Sequence, residues 1–233
     1  MAAEEAIVLA GGRGTRLRGV VDDVPKPLAP VAGRPFLAWL LDMLEAGGIR
    51  RVVLATGYLA GQVEAALGRR WGGMALDYSV EPAPLGTGGA IRLAATRLAG
   101  DGAHVLNGDT FLRYAPAALE RAARDAGAPL AVALARVDDV GRYGAVHVAD
   151  GRVVRFEEKG GRGPGLVNAG SYFLAGPALA ALVAMPEAFS FETAVLAPRA
   201  AAGEVAAFSD TEGFIDIGVP EDYRRAQDLF ARP

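Results

Sequence analysis

Cysteine is missing from this sequence of 233 residues, and histidine occurs only twice. The absence of cysteine excludes a disulfide scaffold, a Cys-ligated zinc site, an iron–sulfur cluster and a cysteine nucleophile. His104 and His147 lie far apart with no metal-type pattern near them, so we expect both to have structural roles. The four serines lie in no G-x-S-x-G motif, which argues against a serine hydrolase.

The sequence also lacks a large excess of one charge and long apolar runs. The 24 Lys and Arg residues against 27 Asp and Glu residues give a net charge of −3, and a general nucleic-acid binder would need a basic face. No apolar stretch approaches the ~20 residues that cross a bilayer, and acidic residues stand where a signal peptide would carry basic ones. We therefore expect a cytoplasmic protein that binds neither nucleic acid nor membrane.

Hydrophobic residues are plentiful, at 52% of the sequence, which is enough for a sizeable core. Over residues 1–135 short β-like runs alternate with helical patterns, which is typical of parallel strands joined by right-handed crossovers. Over residues 136–233 the pattern becomes richer in strands, and Asp150-Gly151 predicts a tight hairpin turn. No linker separates these halves. The sequence predicts one α/β domain over residues 1–233 with a mixed, mainly parallel central sheet and a cleft between its halves.

The strongest local motif follows the first predicted strand. It reads Leu9-Ala10-Gly11-Gly12-Arg13-Gly14-Thr15-Arg16-Leu17, and Pro25-Lys26-Pro27 comes just beyond. Glycines let backbone N–H groups approach an anion, and Arg13, Arg16 and Lys26 can neutralise a polyphosphate. Neither the Walker A pattern nor the dinucleotide fingerprint fits these letters. The alternative is a glycine-rich turn with solvated arginines.

Two aspartates follow predicted strands. Asp109 lies three residues beyond the predicted strand Ala103–Leu106, at the edge where open α/β sheets bind ligands. Asp216 is flanked by apolar residues that would bury it, and a buried carboxylate needs a partner such as Mg²⁺. The alternatives are a turn aspartate at 109 and a salt-bridged or capping aspartate at 216.

Further candidates lie on later segments. Glu158 and Lys159 belong to the charged cluster at the end of the predicted strand Val153–Glu157, where lysine could hold a phosphate and glutamate could accept hydrogen bonds from sugar hydroxyls. Strand alternation would put Glu157 and Lys159 on one face and Glu158 on the other. Asn168 and Tyr172 could line the same pocket, although structural roles fit them equally well.

Glu81 stands at a predicted strand end before the loop 84–89. Its carboxylate could accept two hydrogen bonds from guanine, whereas uracil and thymine offer one N–H between two repelling carbonyl oxygens. At the wall of a base pocket, Glu81 with main-chain groups near Ala10 and Gly11 would favour a guanine base. A solvated loop glutamate is the alternative.

Taken in order, these motifs resemble the sugar-1-phosphate nucleotidyltransferases over most of the chain. The resemblance rests on the glycine motif with Lys26, on Gly108-Asp109, Glu158-Lys159, Asn168-Ala169-Gly170 and Ile215-Asp216-Ile217-Gly218. Additional stretches resemble the branch of that family that joins GTP to D-glycero-D-manno-heptose 1-phosphate: Gly33-Arg34-Pro35-Phe36-Leu37, Pro84-Leu85-Gly86-Thr87-Gly88-Gly89-Ala90, Arg142-Tyr143-Gly144 and Phe189-Ser190-Phe191-Glu192.

The resemblance implies a Rossmann-like, three-layer α/β/α nucleotidyltransferase fold, with a nucleotide-binding half at about 1–135 and a sugar-phosphate-binding half at about 136–233. It implies transfer of a nucleotidyl group from GTP to a heptose 1-phosphate with Mg²⁺, by a monomer or homodimer without a second catalytic domain. The implied catalytic residues are Arg16, Lys26, Asp109, Lys159 and Asp216, of which Asp109 and Asp216 hold the metal. The implied nucleotide contacts are Leu9, Ala10, Gly11, Gly12, Arg13, Gly14, Thr15, Glu81, Gly86, Thr87 and Gly108. The implied sugar-phosphate contacts are Gly144, Glu158, Lys159 and Asn168.

Three other functions stay open on the sequence. The same chemistry could serve mannose, glucose or N-acetylmuramate 1-phosphate with GTP, UTP or dTTP. A non-catalytic nucleotide-sugar sensor would be expected to have lost some of Arg16, Lys26, Asp109 and Asp216, and all four are present. A glycosyltransferase would commonly carry an Asp-x-Asp motif, and Asp109-Thr110-Phe111 does not supply it.

Overall fold

The computed structural model describes residues 2–12 and 24–231. Its strands are β1 (Glu5–Leu9), β2 (Pro30–Val31), β3 (Arg34–Pro35), β4 (Arg51–Thr56), β5 (Arg70–Trp71), β6 (Met74–Val80), β7 (Gly102–Asn107), β8 (Thr110–Arg113), β9 (Leu130–Val137), β10 (Val146–Ala149), β11 (Arg152–Phe156), β12 (Gly165–Ala175), β13 (Val205–Phe208) and β14 (Glu212–Asp216). Its α-helices are α1 (Phe36–Ala46), α2 (Ala60–Leu67), α3 (Gly86–Ala95), α4 (Pro116–Asp125), α5 (Gly176–Val183), α6 (Ala197–Ala201) and α7 (Pro220–Ala231). Lys26–Leu28 forms a 3₁₀ turn, and Glu192–Leu196 forms a π-helical turn that leads into α6.

One sheet of 10 strands runs through the described part of the chain, in the order β10-β11-β13-β9-β12-β7-β1-β4-β6-β5. Strand β1 pairs in parallel with β4 and β7, and β9 pairs in parallel with β13. Strands β5, β11 and β12 run against the direction of the others. The prediction of a mixed, mainly parallel sheet is confirmed.

Helices cover both faces of this sheet because the side chains of its central strands are apolar on both sides. In β1, Ala6 and Val8 face the layer formed by α1, α2, α4 and α7, and Ile7 faces the layer formed by α3, α5 and α6. All three side chains are fully buried. Such continuous burial is typical of parallel strands covered on both faces, and the predicted three-layer α/β/α fold is confirmed.

A separate two-stranded sheet joins β8 to β14 in antiparallel register. Thr110 pairs with Asp216 and Phe111 with Ile215, while the Ile217 N–H donates to the Asp109 carbonyl at 3.0 Å. The sequence predicted β14 but not β8. This pairing places the segment after β7 beside the segment before α7.

Most predicted elements have the predicted type, and two local predictions need correction. The hairpin at Asp150-Gly151 is present between β10 and β11, with positive φ at both residues. Strand β10 begins at Val146 rather than Tyr143, and β11 ends at Phe156. Strand alternation therefore does not extend to Glu158 and Lys159, because Glu158 lies in irregular backbone beyond the strand and Lys159 begins a turn.

Of the helices in the described residues, none combines the length and the apolar character that a bilayer crossing requires.

His104 lies in the middle of β7 and is fully buried. Its ring packs against Phe173 with the centroids 5.3 Å apart, and neither ring nitrogen has a hydrogen-bond partner within the described part of the chain. Burial lowers the pKa of His104 to about 4, because the charged imidazolium would lose its hydration. The ring is therefore held neutral in the folded core.

We expect His104 to make the protein sensitive to mild acid. An unfolded histidine titrates near 6.5 and the folded one near 4, so unfolding takes up a proton between these values and stability falls as the pH drops through that window. The loss is about 2 kcal/mol at pH 5. The His104→Leu variant should lose less of its free energy of unfolding between pH 7 and pH 5, as measured by urea denaturation.

The control is His147→Leu, because His147 is half exposed and pairs with Glu157 at 2.8 Å. This variant should keep the acid sensitivity of the wild-type protein. Equal pH slopes for the wild-type protein and His104→Leu would contradict the assignment.

Candidate active site

Three charged side chains from distant parts of the chain meet at the carboxyl edge of the sheet. The Lys26 Nζ lies 2.5 Å from Asp109 Oδ2 and 3.9 Å from Asp216 Oδ1. The lysine side chain is 13% exposed, and those of the aspartates are 37% and 29% exposed. The sequence prediction required the two carboxyl groups to converge, and in the structure they share one ammonium group.

Local backbone structure fixes each member of this cluster. Lys26 begins a 3₁₀ turn between Pro25 and Pro27, so two fixed φ angles flank it. Asp109 lies in the turn between β7 and β8, and Asp216 ends β14. Pairing of β8 with β14 brings the two aspartates together.

The charge on Asp216 is costly in this position. Burial and the neighbouring charge of Asp109 raise the pKa of the Asp216 carboxyl, although Lys26, the Gly218 N–H and Arg142 act in the opposite direction. The Gly218 N–H donates to Asp216 Oδ1 at 2.7 Å. Burial is the main cause of the raised pKa and repulsion from Asp109 is the second, so a further cation at these carboxylates would lower the electrostatic cost of ionised Asp216.

The donor set fits magnesium in part. Two carboxylates supply the hard oxygen ligands that Mg²⁺ prefers. Among the described residues no group of three or more His, Cys, Asp or Glu side chains could hold a metal. Since Mg²⁺ is usually bound by one or two carboxylates together with substrate phosphates, the pair Asp109 and Asp216 suits a metal that arrives with a nucleotide.

A first cavity of ≈ 640 Å³ opens beside Lys26 and Asp109. Eight of the predicted site residues line it: Leu9, Gly11, Gly12, Lys26, Glu81, Gly86, Thr87 and Asp109. Tyr58, Asn107 and the segment Pro82–Pro84 complete much of its wall. The volume is in the range of pockets that bind small molecules.

Glu81 and Gly11 form one wall of this cavity. The Leu85 N–H donates to Glu81 Oε2 at 2.9 Å, and a Cβ on Gly11 would lie only 2.8 Å from Glu81 Oε1. A residue larger than glycine at position 11 would therefore displace the carboxylate. Burial raises the pKa of Glu81, and the bond from Leu85 partly offsets this.

Thr87 and Gly86 belong to the start of α3. The Thr87 Oγ1 donates to Glu192 Oε2 at 2.6 Å and accepts from the Phe191 N–H at 2.9 Å. Its hydroxyl is thus engaged with the π-helical turn. A Cβ on Gly86 would come within 2.6 Å of the Phe189 carbonyl oxygen, so this end of α3 is packed tightly against residues 189–192.

A second cavity of ≈ 650 Å³ lies on the other side of the cluster. Lys159 and Asp216 are the predicted site residues that line it. Arg142, Tyr143, Glu221 and Arg224 line it as well, with the backbone from Gly218 to Pro220. Lys26 and Asp109 line the first cavity while Asp216 lines the second, so the cluster joins the two.

Several predicted residues lie outside these linings. Asn168 is engaged within β12, where its Oδ1 accepts from the Gly170 N–H and its Nδ2 donates to the Tyr172 hydroxyl, both at 2.9 Å. Gly144 has a φ of 84°, and a Cβ there would meet the Glu157 carbonyl oxygen at 2.2 Å. Glu158 is exposed. None of these three is among the residues that line the two cavities, and their contacts with a sugar phosphate stay predictions.

Ala10 and Gly108 are neighbours in sequence of residues that line the first cavity, and a backbone hydrogen bond holds each of them. The Ala10 N–H donates to the Ala55 carbonyl at 2.7 Å, and the Gly108 N–H donates to the Leu9 carbonyl at 2.8 Å. Arg13, Gly14, Thr15 and Arg16 lie outside the described residues.

The sequence analysis did not select Tyr58, which lines the first cavity, or Arg142 and Arg224, which line the second. It also did not select Asp222, which forms an ion pair with Arg142. Arg142 and Tyr143 belong to a stretch that carried the family resemblance, and this was a usable signal. Tyr58, Asp222 and Arg224 carry no local pattern that would mark them.

Comparison with known proteins identifies the family of this chain. The sequence matches the family described as "Nucleotidyl transferase" over residues 5–232. The chain belongs to this family. The predicted membership is confirmed, and the protein is a nucleotidyltransferase.

Two relatives of this nucleotidyltransferase are named D-glycero-alpha-D-manno-heptose 1-phosphate guanylyltransferase. The protein of Aneurinibacillus thermoaerophilus is 39% identical over 223 residues, covering 96% of each chain. The protein of Campylobacter jejuni is 38% identical over 220 residues, covering 94% of this chain and 96% of the relative. The crystal structure of HddC from Yersinia pseudotuberculosis complexed with GMP-PN has a TM-score of 0.86 at 35% identity, covering 98% of this chain and 100% of HddC.

Proposed function

We propose that this nucleotidyltransferase joins GTP to D-glycero-D-manno-heptose 1-phosphate, with release of pyrophosphate. The observation that carries the proposal is the cluster of Lys26, Asp109 and Asp216 between two cavities. A transferase that condenses two anionic substrates needs their binding sites to meet where positive charge can neutralise the phosphates, and here Lys26 and a metal ion on the two carboxylates would supply that charge. The relatives named for this reaction, at 38% and 39% identity, support the choice of substrates, and so does the nucleotide named with HddC.

In this proposal the first cavity holds the nucleotide and the second holds the sugar phosphate. Lys159 and Asp216 line the second cavity, so the sugar phosphate would lie next to the cluster. The Gly11 and Gly12 backbone and Lys26 border the first cavity, where a triphosphate would be cradled. From the sequence we propose that Arg13, Gly14, Thr15 and Arg16 contact the triphosphate as well.

The reaction requires no protein nucleophile. A phosphate oxygen of the sugar 1-phosphate attacks the α-phosphorus of GTP, the bond from that phosphorus to the bridging oxygen breaks, and pyrophosphate leaves with the electron pair. The attacking oxygen is already anionic, so no proton has to be removed. Catalysis then depends on positioning and on neutralising charge.

Basic side chains of this protein would position the substrates and neutralise the charge of their phosphates. Lys26 would hold the phosphates of GTP, Lys159 the phosphate of the sugar, and Arg16 would stabilise the departing pyrophosphate. Mg²⁺, held by Asp109 and Asp216, would neutralise charge on the phosphates when bound. We also propose that the reaction takes place in the cytoplasm, where nucleoside triphosphates are available.

The direct test offers the enzyme a panel of substrates with Mg²⁺. GTP, UTP, dTTP, CTP and ATP are each paired with the 1-phosphates of heptose, mannose, glucose and N-acetylmuramate, and nucleotide sugars are detected by mass spectrometry. We expect GDP-heptose to form with a kcat/KM at least about tenfold above every other pair, a difference of about 1.4 kcal/mol.

A higher kcat/KM for another pair would replace the proposed substrates while keeping the reaction. Binding of a nucleotide sugar without turnover of any pair would instead identify a sensor.

The two aspartates should be essential for turnover. Asp109→Asn and Asp216→Asn each remove one negative ligand from the proposed metal site, and we expect kcat to fall at least about 100-fold. Binding of Mn²⁺ in the presence of GTP, followed by electron paramagnetic resonance, should weaken in the same variants.

Glu212→Gln provides the control, since Glu212 lies on β14 with Asp216 but is exposed and faces Arg113 across the pair. It should retain kcat and Mn²⁺ affinity. Near-normal turnover of either aspartate variant, with unchanged circular dichroism, would remove that residue from the metal site.

In this proposal Glu81 reads the base. It borders the first cavity beside Gly11, and its Oε2 accepts from the Leu85 N–H at 2.9 Å. An ionised carboxylate accepts hydrogen bonds from both guanine N1–H and the N2 amino group, whereas a carboxamide offers one acceptor and one donor.

The Glu81→Gln variant should therefore lower the ratio of kcat/KM for GTP to that for UTP by about tenfold or more, because a hydrogen bond to a charged group contributes about 1.5–3 kcal/mol. Gln keeps an oxygen for the Leu85 N–H, so the loop should stay in place. Glu64→Gln is the control and should leave the ratio unchanged, because Glu64 on α2 pairs with Arg69 at 2.5 Å and does not line the first cavity. An unaltered ratio in Glu81→Gln would show that Glu81 does not select the base.

A further inference from the structure

Asp222 is a carboxylate buried outside the cluster of Lys26, Asp109 and Asp216. It lies in the first turn of α7 and is 1% exposed. Burial of an unpaired carboxylate is costly, and two arginines compensate it. Arg142 Nη1 donates to Oδ2, and Arg225 Nη1 donates to Oδ1 at 2.7 Å. The Tyr143 hydroxyl lies 3.5 Å from Oδ2.

The two arginines differ in where the rest of their side chains lie. Arg225 stands three residues further along α7 and its side chain is 63% exposed. Arg142 comes from the segment between β9 and β10, and it lines the second cavity together with Lys159 and Asp216. One carboxylate thus fixes one arginine at the cavity and one on the outer surface of the helix.

Two contacts restrict the Arg142 guanidinium in its position at the cavity. Asp222 accepts from one of its nitrogens, and the Tyr143 ring lies beneath it with 5.0 Å from Cζ to the ring centroid. A guanidinium has five N–H donors in a rigid fork, so donors remain beyond the one given to Asp222. Such a preordered fork suits two oxygens of a phosphate better than a flexible ammonium does.

The charges around this cavity favour an anion. Arg142, Lys159 and Arg224 contribute three cationic side chains to its lining, against the carboxylates of Asp216 and Glu221. Binding of a cation at Asp216, as proposed above, would make the surroundings more positive still. The positive side chains lie in the cavity assigned to the sugar phosphate.

We infer that Arg142 binds the phosphate of the sugar 1-phosphate, and that Asp222 is a positioning residue that holds Arg142 at the cavity. This inference rests on the proposed function, because it takes the second cavity as the sugar-phosphate site. The competing explanation is that the ion pair only ties α7 to the segment before β10. In that case Arg142 and Arg225 would have equivalent roles.

The test compares two arginines that share one carboxylate. Arg142→Gln and Arg225→Gln are assayed for kcat and for the KM of each substrate, and binding of heptose 1-phosphate is measured by calorimetry without GTP. We expect Arg142→Gln to raise the KM and the Kd for the sugar phosphate about tenfold or more, with the KM for GTP changed less than about twofold. Arg225→Gln should leave all three constants within about twofold of the wild-type values.

Two further variants separate positioning from folding. Asp222→Asn keeps the shape of the side chain but weakens its hold on Arg142, so it should raise the sugar-phosphate KM without raising the KM for GTP. Arg142→Lys keeps the charge and should recover only part of the affinity, because an ammonium cannot form the forked contact. Thermal melting of each variant reports the structural part of its effect.

Equal losses in Arg142→Gln and Arg225→Gln, or a fall in melting temperature with unchanged sugar-phosphate binding, would overturn the inference. So would a rise in the KM for GTP alone. If the wild-type enzyme forms no nucleotide sugar in the substrate panel, the proposed function fails instead. The calorimetric comparison of the two arginine variants still reports on sugar-phosphate binding in that case.

Discussion

The antiparallel pairing of β8 with β14 is the constraint on which the candidate active site depends. Thr110 lies opposite Asp216, and the Ile217 N–H donates to the Asp109 carbonyl, so two acidic residues from remote segments are fixed side by side by backbone hydrogen bonds. Backbone pairing is well suited to this task, because it holds position even though the two carboxylates repel each other. Each side chain then needs only a short reach to the common centre.

The Lys26 ammonium group partly offsets the repulsion between the Asp109 and Asp216 carboxylates. Its ammonium group contacts both carboxylates, at 2.5 and 3.9 Å, and the prolines on either side limit the backbone freedom that a lone loop lysine would have. Burial and repulsion from Asp109 together still raise the pKa of Asp216. In the proposed reaction, a divalent cation held by the two carboxylates would offset this repulsion and would free the Lys26 ammonium group to contact an incoming anion.

Much of this arrangement could be predicted from the sequence, and the failures have physical reasons. The periodic apolar patterns of β1, β4 and α4 are local, so they identify those elements without knowledge of the fold. Strand β8 has only four residues, and its partner β14 lies far along the chain. No local sequence pattern therefore predicts that the two strands pair. The same holds for Asp222: an acidic residue in the first turn of a helix normally faces solvent, and only the tertiary fold buries it between two arginines.

The long sequence separation within the cluster has a consequence for the biosynthesis of the enzyme. Lys26 and Asp109 are 83 residues apart, and Asp216 comes from a strand near the far end of the described chain. Contacts between such distant segments form late, because the entropy of closing the loops between them must be offset first. A nascent polypeptide on the ribosome therefore cannot complete this candidate active site until β14 has emerged, although the ten strands of the central sheet have already been synthesised by then.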